Sequence, residues 1–173
     1  MGTARHSRAM DIRPESPADA AAISSLISAA FLTAEHSGGN EARIVEALRE
    51  ASSLTVSLVA TENDRIVGHV AFSPVTIDGR SDGWFGLGPV AVIPDRQGIG
   101  IGTALIEAGL EQLRAQHSRG CVVLGEPAYY RRFGFTADPS LRLAGAPAGY
   151  FQRLLFNGQP CGGLVSYQPA FDM

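Results

Sequence analysis

The stretch DRQGIGIGTALIEAGLEQLRAQ, residues 95–116, decides the fold because a glycine-rich loop runs directly into a helix. Glycines stand at positions 98, 100 and 102. Apolar residues and one glycine then recur at helical spacing and predict a single buried face: Leu105, Ile106, Gly109, Leu110 and Leu113. A helix N-terminus presents unpaired N–H groups and a partial positive charge, and glycines let an anion approach them. The stretch predicts a phosphate-binding turn; a glycine-rich turn without a ligand is the alternative.

Two common phosphate-binding motifs fit this loop poorly. A P-loop requires Lys and then Ser or Thr after its last glycine, but Gly102 is followed by Thr103 and Ala104. The dinucleotide motif G-x-G-x-x-G requires a glycine at position 103, where the chain has threonine. A nucleotide-binding domain of another kind stays open as a hypothesis, and it predicts thermal stabilisation by ATP or NAD and none by coenzyme A.

The strand before the loop contains residues that disfavour continuous pairing. The sequence WFGLGPVAVIP, residues 84–94, places Gly86, Gly88 and Pro89 inside a predicted central strand. Proline cannot donate a ladder hydrogen bond, so this composition predicts a bulge or a separation from the neighbouring strand. The neighbour is expected to be CVVLG, residues 121–125, a continuously apolar strand of the buried parallel type.

A gap between these two strands would leave backbone groups of Val90, Ala91 and Val92 free to pair with a ligand. The gap and the glycine loop are adjacent. A ligand with amides at one end and a pyrophosphate at the other fits both features, as the pantetheine arm and ADP group of coenzyme A do.

The remaining sequence predicts one mixed domain. The chain has 173 residues, of which 45% are hydrophobic and 18% charged, a globular composition. We expect a flexible tail at 1–9 and a single domain at 10–173, with a first strand, two helices and an antiparallel meander of three strands. After a crossover helix and the parallel strand, Pro127 begins a short helix, and YFQRLLF and GGLVSYQ are predicted to form a final pair of strands. Exposed edges of these last strands make a homodimer a further expectation.

Charge, hydropathy and cysteine spacing argue against several classes of partner, location and ligand. The net charge is −3 and no basic run occurs, so nucleic acid is not expected as a partner. The N-terminus lacks a signal-peptide core, and no apolar run is long enough to span a membrane. Cys121 and Cys161 have no metal-ligand spacing, which predicts reduced thiols, a cytoplasmic location and no metal.

The segment VAVIPDRQGIGIGTAL resembles the acetyl-CoA signature of the GNAT acetyltransferase superfamily. Its pattern Q/R-x-x-G-x-G/A is matched by Gln97, Gly100 and Gly102. The later GEPAYYRRFGF resembles the second half of that fold, and LGPVAVIP, YYRRFGF and the closing YQPAF together resemble its YhbS-like bacterial branch. The resemblance implies an α+β fold, with a central, mostly antiparallel mixed sheet that contains a splayed parallel strand pair and is flanked by helices.

The resemblance also implies direct transfer of an acetyl group from acetyl-CoA to a primary amine of a small molecule, peptide or protein. A Tyr four residues before the Gly of a GF pair contacts the CoA sulfur in this family; Tyr130 and Gly134 have that spacing, so Tyr130 is the expected general acid. The Val92 N–H is the expected donor to the carbonyl oxygen. The residues expected to bind the cofactor are Val90, Ala91, Val92, Gln97, Gly98, Ile99, Gly100, Ile101, Gly102 and Thr103.

The general base and the acceptor site are less constrained. Glu126 follows the predicted parallel strand, where active sites of open sheets lie, and is the candidate base; a solvated carboxylate near a helix start explains it equally. Glu35 and His36, in the loop between the first two helices, and Tyr129 are candidates for the acceptor site. The sequence selects neither the acceptor nor the acyl chain. A non-catalytic acyl-CoA-binding or regulatory module is the alternative function.

Overall fold

The computed structural model describes residues 10–32 and 39–172, so the tail predicted at 1–9 lies outside the described residues. The strands of the described part are β1 (Met10–Pro14), β2 (Val56–Glu62), β3 (Arg65–Pro74), β4 (Thr76–Ile77), β5 (Trp84–Val92), β6 (Gly120–Leu124), β7 (Thr136–Ala137), β8 (Leu141–Arg142), β9 (Phe151–Leu155) and β10 (Gly163–Ser166). The α-helices are α1 (Ala20–Phe31), α2 (Glu41–Glu50), α3 (Ile101–Ala115) and α4 (Pro127–Tyr130).

The strands form two sheets. The large sheet has the order β1-β2-β3-β5-β6-β9-β7, and a small one has the order β4-β10-β8. In the large sheet β5 and β6 are parallel, and all other neighbours are antiparallel. The predicted α+β class, the three-stranded meander and the parallel crossover through α3 are therefore confirmed.

Residues 65–77, the middle strand of the predicted meander, form two strands that meet near Pro74. The pairing with β5 continues one residue past Pro74, where Val75 N–H donates to Trp84 O at 3.0 Å. Thr76 and Ile77 then pair with β10 in the small sheet. A local apolar pattern predicts extended backbone but does not reveal this change of sheet.

The expectation that the last two strands pair with each other is wrong. β9 lies between β6 and β7, whereas β10 lies between β4 and β8. Strand partners distant in sequence determine both positions, and periodicity carries no information about them. β7 covers the outer edge of β9 only at Gln152 and Arg153, and β10 pairs with β8 and with β4 through two residues each. The expected homodimer stays a prediction.

The helices cover both faces of the large sheet. α3 packs against the face formed by Gly68 and Phe72: a Cβ at Gly68 would lie 2.9 Å from Leu105 Cδ1, and one at Gly109 would overlap the Phe72 ring. His69 points to the opposite face because side chains alternate along a strand. No helix in the described part of the chain is long and apolar enough to cross a membrane.

A buried polar cluster joins α2 to that opposite face. Arg49 forms an ion pair with Glu15 at 2.8 Å, Glu15 also accepts a hydrogen bond from Ser57, and Ser57 Oγ lies 2.8 Å from His69 Nε2. Burial lowers the pKa of His69 to about 4, against the opposing effect of Glu15. The imidazole is therefore neutral at physiological pH and serves as a hydrogen-bonding core residue.

Candidate active site

A gap opens between β5 and β6 where their pairing stops. The parallel ladder joins Trp84 to Gly120, and its last pair is Gly86 with Val122. β5 nevertheless continues to Val92 and β6 to Leu124. The separation predicted from the composition of β5 is confirmed.

A bulge in β5 accompanies the separation. On its other edge, β5 pairs Val90 with Val70 and Leu87 with Phe72, so Gly88 and Pro89 together lie opposite one residue of β3. Proline is tolerated at such a position because the extra residue does not need to donate a ladder hydrogen bond. Gly88 has a φ of 131°, a conformation open to glycine and strained for other residues.

The alternation of backbone groups identifies which atoms face the gap. Ile93 N–H donates to Val67 O on β3 at 3.0 Å. Because N–H and C=O directions alternate along a strand, the groups of Ala91 also point to β3, whereas those of Val90 and Val92 point into the gap. The Val92 carbonyl accepts a hydrogen bond from Gln97 Nε2 at 2.9 Å. A ligand in the gap can therefore pair with the backbone of Val90 and with the N–H of Val92. The backbone groups of Ala91 point away from the gap, toward β3.

The glycine loop forms the start of α3. Gly98 and Gly100 have φ values of 78° and 94°, in the left-handed region that glycine tolerates. The first α-helical hydrogen bond runs from Ala104 N–H to Gly100 O, so the N–H groups of the preceding helical residues have no partner within the helix. This arrangement is suited to an anion.

A cleft of about 280 Å³ lies against these N–H groups. It is lined by Val92, Arg96, Gln97, Gly98, Gly100, Ile101, Gly102, Thr103, Tyr129 and Arg132. Seven of these ten were predicted from the sequence as cofactor-binding residues: Val92, Gln97, Gly98, Gly100, Ile101, Gly102 and Thr103. The Ile99 side chain is 59% exposed and does not line the cleft, which leaves only its backbone to contribute.

Tyr129, a candidate for the acceptor site in the sequence, lines this cleft. Its hydroxyl oxygen is 2.9 Å from Thr103 Oγ1, at the start of α3. The Arg132 guanidinium stacks over the Tyr129 ring, 4.2 Å from the centroid, and its Nε donates to Tyr129 O. Tyr129 thus connects α4 to the anion-binding turn and holds Arg132 beside it.

Two arginines bring positive charge to the cleft. Arg96 also makes hydrogen bonds of 2.8–3.0 Å to the carboxylate of Glu62, which neutralises its charge. Arg132 is the exposed cation of the pair, and its position beside the helix N-terminus favours a ligand with negative charge.

Tyr130 lies at the end of α4 with its ring packed on the backbone of Gly125. A Cβ at Gly125 would overlap this ring, so glycine is needed for the close approach. Burial raises the pKa of Tyr130 to about 12, with smaller contributions from Tyr129 and Cys121. Tyr130 in turn contributes to the raised pKa of Tyr167, which places the two phenols near each other.

The predicted base, Glu126, does not line the cleft. Glu126 precedes α4 and is exposed; its backbone carbonyl accepts hydrogen bonds from the N–H groups of Tyr129 and Tyr130, and its side chain does not line the cleft. Glu35 and His36 lie outside the described residues. Within residues 10–32 and 39–172, no group of three or more His, Cys, Asp or Glu side chains could hold a metal ion.

Sequence reasoning missed a second, larger pocket of about 450 Å³. Its lining consists almost entirely of apolar and aromatic residues: Phe31, Glu41, Ile44, Leu87, Gly88, Pro89, Leu124, Leu143, Tyr167 and Phe171. Leu87 to Pro89 belong to the bulge, and Leu124 is the last residue of β6, so this pocket adjoins the gap between the strands. These residues come from widely separated segments, and no local pattern could have grouped them.

Comparisons with known proteins agree with this geometry. The acetyltransferase (GNAT) domain family matches residues 11–137. The uncharacterized N-acetyltransferase YhbS of Escherichia coli strain K12 is 36% identical over 170 residues, covering 94% of this chain and 99% of the relative.

Solved structures give the same result. A GNAT family acetyltransferase from Brucella melitensis in complex with acetyl-CoA is 50% identical, with a TM-score of 0.86 and coverage of 95% of this chain and 99% of that one. Escherichia coli YhbS in complex with CoA is 35% identical, with a TM-score of 0.83 and coverage of 95% and 92%.

Proposed function

The chain belongs to the GNAT acetyltransferase family and is an acetyl-CoA-dependent N-acetyltransferase, and from this premise we propose that it acetylates a primary amine by direct attack in a ternary complex. The observation that carries the proposal is the gap between β5 and β6, which is continuous with the N-terminus of α3. One end of the gap suits the amides of pantetheine and the other suits a pyrophosphate.

We assign the cofactor contacts as follows. The backbone of Val90 and the N–H of Val92 pair with the pantetheine amides, or, for Val92, with the thioester carbonyl oxygen. The pyrophosphate binds the N–H groups of residues 98–103, where the helix dipole favours negative charge. Arg132, stacked on Tyr129, supplies a compensating positive charge to the phosphates.

The reaction forms one C–N bond and breaks one C–S bond. The amine nitrogen attacks the thioester carbonyl carbon, the carbonyl oxygen gains negative charge, and the Val92 N–H stabilises that charge. The C–S bond then breaks and coenzyme A leaves as a thiolate that must gain a proton, while the new amide loses the amine proton. An alkylamine with a pKa of about 10.4 is neutral in roughly one molecule in 2500 at pH 7, a deficit of about 4–5 kcal/mol.

The buried position of Tyr130 determines how it assists the leaving thiolate. With a phenol pKa of about 12 and a thiol pKa of about 8.5, complete proton transfer before the thiolate departs would be uphill by about 5 kcal/mol. Tyr130 therefore acts as a hydrogen-bond donor to the developing thiolate, and the thiolate takes its proton from solvent once coenzyme A has left. A hydrogen bond to a charged group contributes about 1.5–3 kcal/mol, equivalent to roughly 10–150-fold in rate.

Glu126 is the proposed base because it follows β6 at the end of the gap. Its carboxylate is exposed, so the amine proton would pass from it directly to solvent. Glu35 and His36 are kept as proposed acceptor contacts. We also propose a cytoplasmic location, consistent with the free thiols of Cys121 and Cys161. A homodimer stays a hypothesis, which a molar mass measured by light scattering would test.

The test measures coenzyme A release with a panel of primary amines for the wild type, Tyr130→Phe and Tyr129→Phe. We expect Tyr130→Phe to lower kcat by about 10–150-fold while the Kd of acetyl-CoA changes by less than about twofold. Tyr129→Phe is the matched control: it loses the bond to Thr103 and should weaken cofactor binding more than it lowers kcat.

Two results would contradict the proposal. A kcat of Tyr130→Phe equal to that of the wild type would show that the Tyr130 hydroxyl does not assist the leaving thiolate. Binding of acetyl-CoA without release on any amine would favour the non-catalytic acyl-CoA-binding module instead.

A further inference from the structure

We propose that the apolar pocket beside the bulge of β5 binds the acceptor, and that this acceptor is a primary amine on an apolar body without a carboxylate. The inference rests on the proposed function, because it takes the gap between β5 and β6 as the place where the thioester lies. It adds a class of substrate that neither the fold nor the family determines.

The position of the pocket is the first argument. Leu87, Gly88 and Pro89 line it at the point where β5 separates from β6, and Leu124 lines it from the end of β6. The cofactor cleft includes Val92, only three residues beyond Pro89 on the same strand. The pocket and the cofactor cleft are therefore lined by neighbouring parts of β5.

Tyr167 connects the pocket to the reaction centre. Its ring lies over Gly86, where a Cβ would be 2.5 Å from Tyr167 Cε1, so the missing side chain of Gly86 makes room for it. Tyr167 lines the pocket, and its ring lies 5.1 Å from that of Phe171, another lining residue, in a tilted arrangement. Gly86 is the last residue of β5 that pairs with β6, so Tyr167 lies where the gap opens.

The chemistry of the lining is the second argument. The volume of about 450 Å³ lies within the range of small-molecule sites, and apolar side chains predominate in it. Among the described residues that line it, Glu41 is the one charged residue and none carries a positive charge. A free amino acid would place its carboxylate against apolar carbon beside the Glu41 carboxylate, where it loses its hydration without a described cation to pair with it.

The homologous series of linear amines from propylamine to hexylamine measures this preference. Each buried methylene should raise kcat/KM about fourfold until the pocket is filled. Phenylalanine, which is 2-phenylethylamine with an added carboxylate, should be at least about tenfold poorer than 2-phenylethylamine itself. Butane-1,4-diamine and a lysine-containing peptide represent the hydrophilic acceptors. A flat series, or a higher kcat/KM for the diamine or the peptide, would overturn the inference.

Variants locate the preference in the pocket. Leu124→Gln places an amide in the pocket, and because Leu124 is 47% exposed the fold does not depend on it. We expect this change to reduce the gain per methylene and to weaken 2-phenylethylamine about tenfold. Leu164→Gln is the matched control, since Leu164 is 45% exposed and does not line the pocket. Equal effects of both variants, or no effect of Leu124→Gln, would contradict the assignment.

A binding measurement separates failure of this inference from failure of the proposed function. Titration calorimetry of 2-phenylethylamine into the coenzyme A-saturated protein does not require turnover. Binding that Leu124→Gln weakens supports the pocket even if no amine is acetylated, a result that would refute only the proposed reaction. Turnover of hydrophilic amines with no binding of 2-phenylethylamine would refute the pocket and leave the acetyltransferase intact.

Discussion

Gly102→Leu separates cofactor binding from folding, because the two are expected to change in opposite directions. Gly102 is the second residue of α3 and lines the cofactor cleft. A Cβ there would lie 3.7 Å from Val92 Cγ2 and 3.9 Å from Tyr129 Oη, ordinary van der Waals distances. The protein therefore accommodates a Cβ, as the alanine allowed by the acetyl-CoA signature at this position indicates, but the longer leucine side chain would occupy the space of the phosphate that we place against this turn.

The magnitudes follow from these contacts. Replacing a helical glycine by leucine stabilises a protein by about 0.5–1 kcal/mol, which raises Tm by about 1–4 °C in a domain of this size. Displacing the phosphate from one backbone N–H removes a hydrogen bond to a charged group, worth about 1.5–3 kcal/mol. The Kd of coenzyme A should therefore rise by about 10–150-fold.

Thermal unfolding without ligand and titration calorimetry with coenzyme A measure the two effects. Glu107→Ala is the control, since Glu107 is exposed on the same helix and does not line the cleft. It should leave the Kd within about twofold of the wild type. A folded Gly102→Leu protein with an unchanged Kd would refute the placement of the pyrophosphate at the start of α3.

Three further changes test other parts of the site and the core. Gly125→Ala would push the Tyr130 ring from its position, so kcat should fall roughly 10–100-fold with little change in the Kd of acetyl-CoA; an unchanged kcat would show that the ring position is not critical. Glu126→Gln should lower kcat/KM at pH 7 on the order of 100-fold if the carboxylate accepts the amine proton. A kcat/KM equal to that of the wild type would show that Glu126 is not the base. Between pH 6.5 and about 4 the unfolded chain binds a proton at residue 69 that the folded protein does not, because burial lowers the pKa of His69 to about 4. The wild type should therefore lose up to about 3 kcal/mol of unfolding free energy as the pH falls through that range, and His69→Gln should show a shallower dependence in urea denaturation; equal slopes would contradict the assignment.

The cofactor side of the site could be predicted from sequence because local chemistry determines it. The φ values of Gly98 and Gly100 and the missing N–H of Pro89 act on the backbone within a few residues, so composition alone indicates the turn and the bulge. The gap follows from the same residues once β5 and β6 are recognised as neighbours.

The acceptor side could not be predicted because it depends on contacts between distant segments. Phe31, Leu87, Leu124 and Phe171 reach one pocket only after the sheet and the C-terminal segment have assembled. The position of Tyr129 has the same cause: the sequence gives Tyr129 and Tyr130 the same short helix, and only packing directs the first to Thr103 and the second to Gly125.

A crystal structure of the protein with coenzyme A tests the central claim most directly. The account predicts pantetheine amides within hydrogen-bonding distance of the backbone of Val90 and Val92, and the pyrophosphate on the N–H groups of residues 98–103, with the β5–β6 ladder still ending at Gly86 and Val122. Coenzyme A bound elsewhere, or a ladder that continues past that pair and closes the gap, would contradict it.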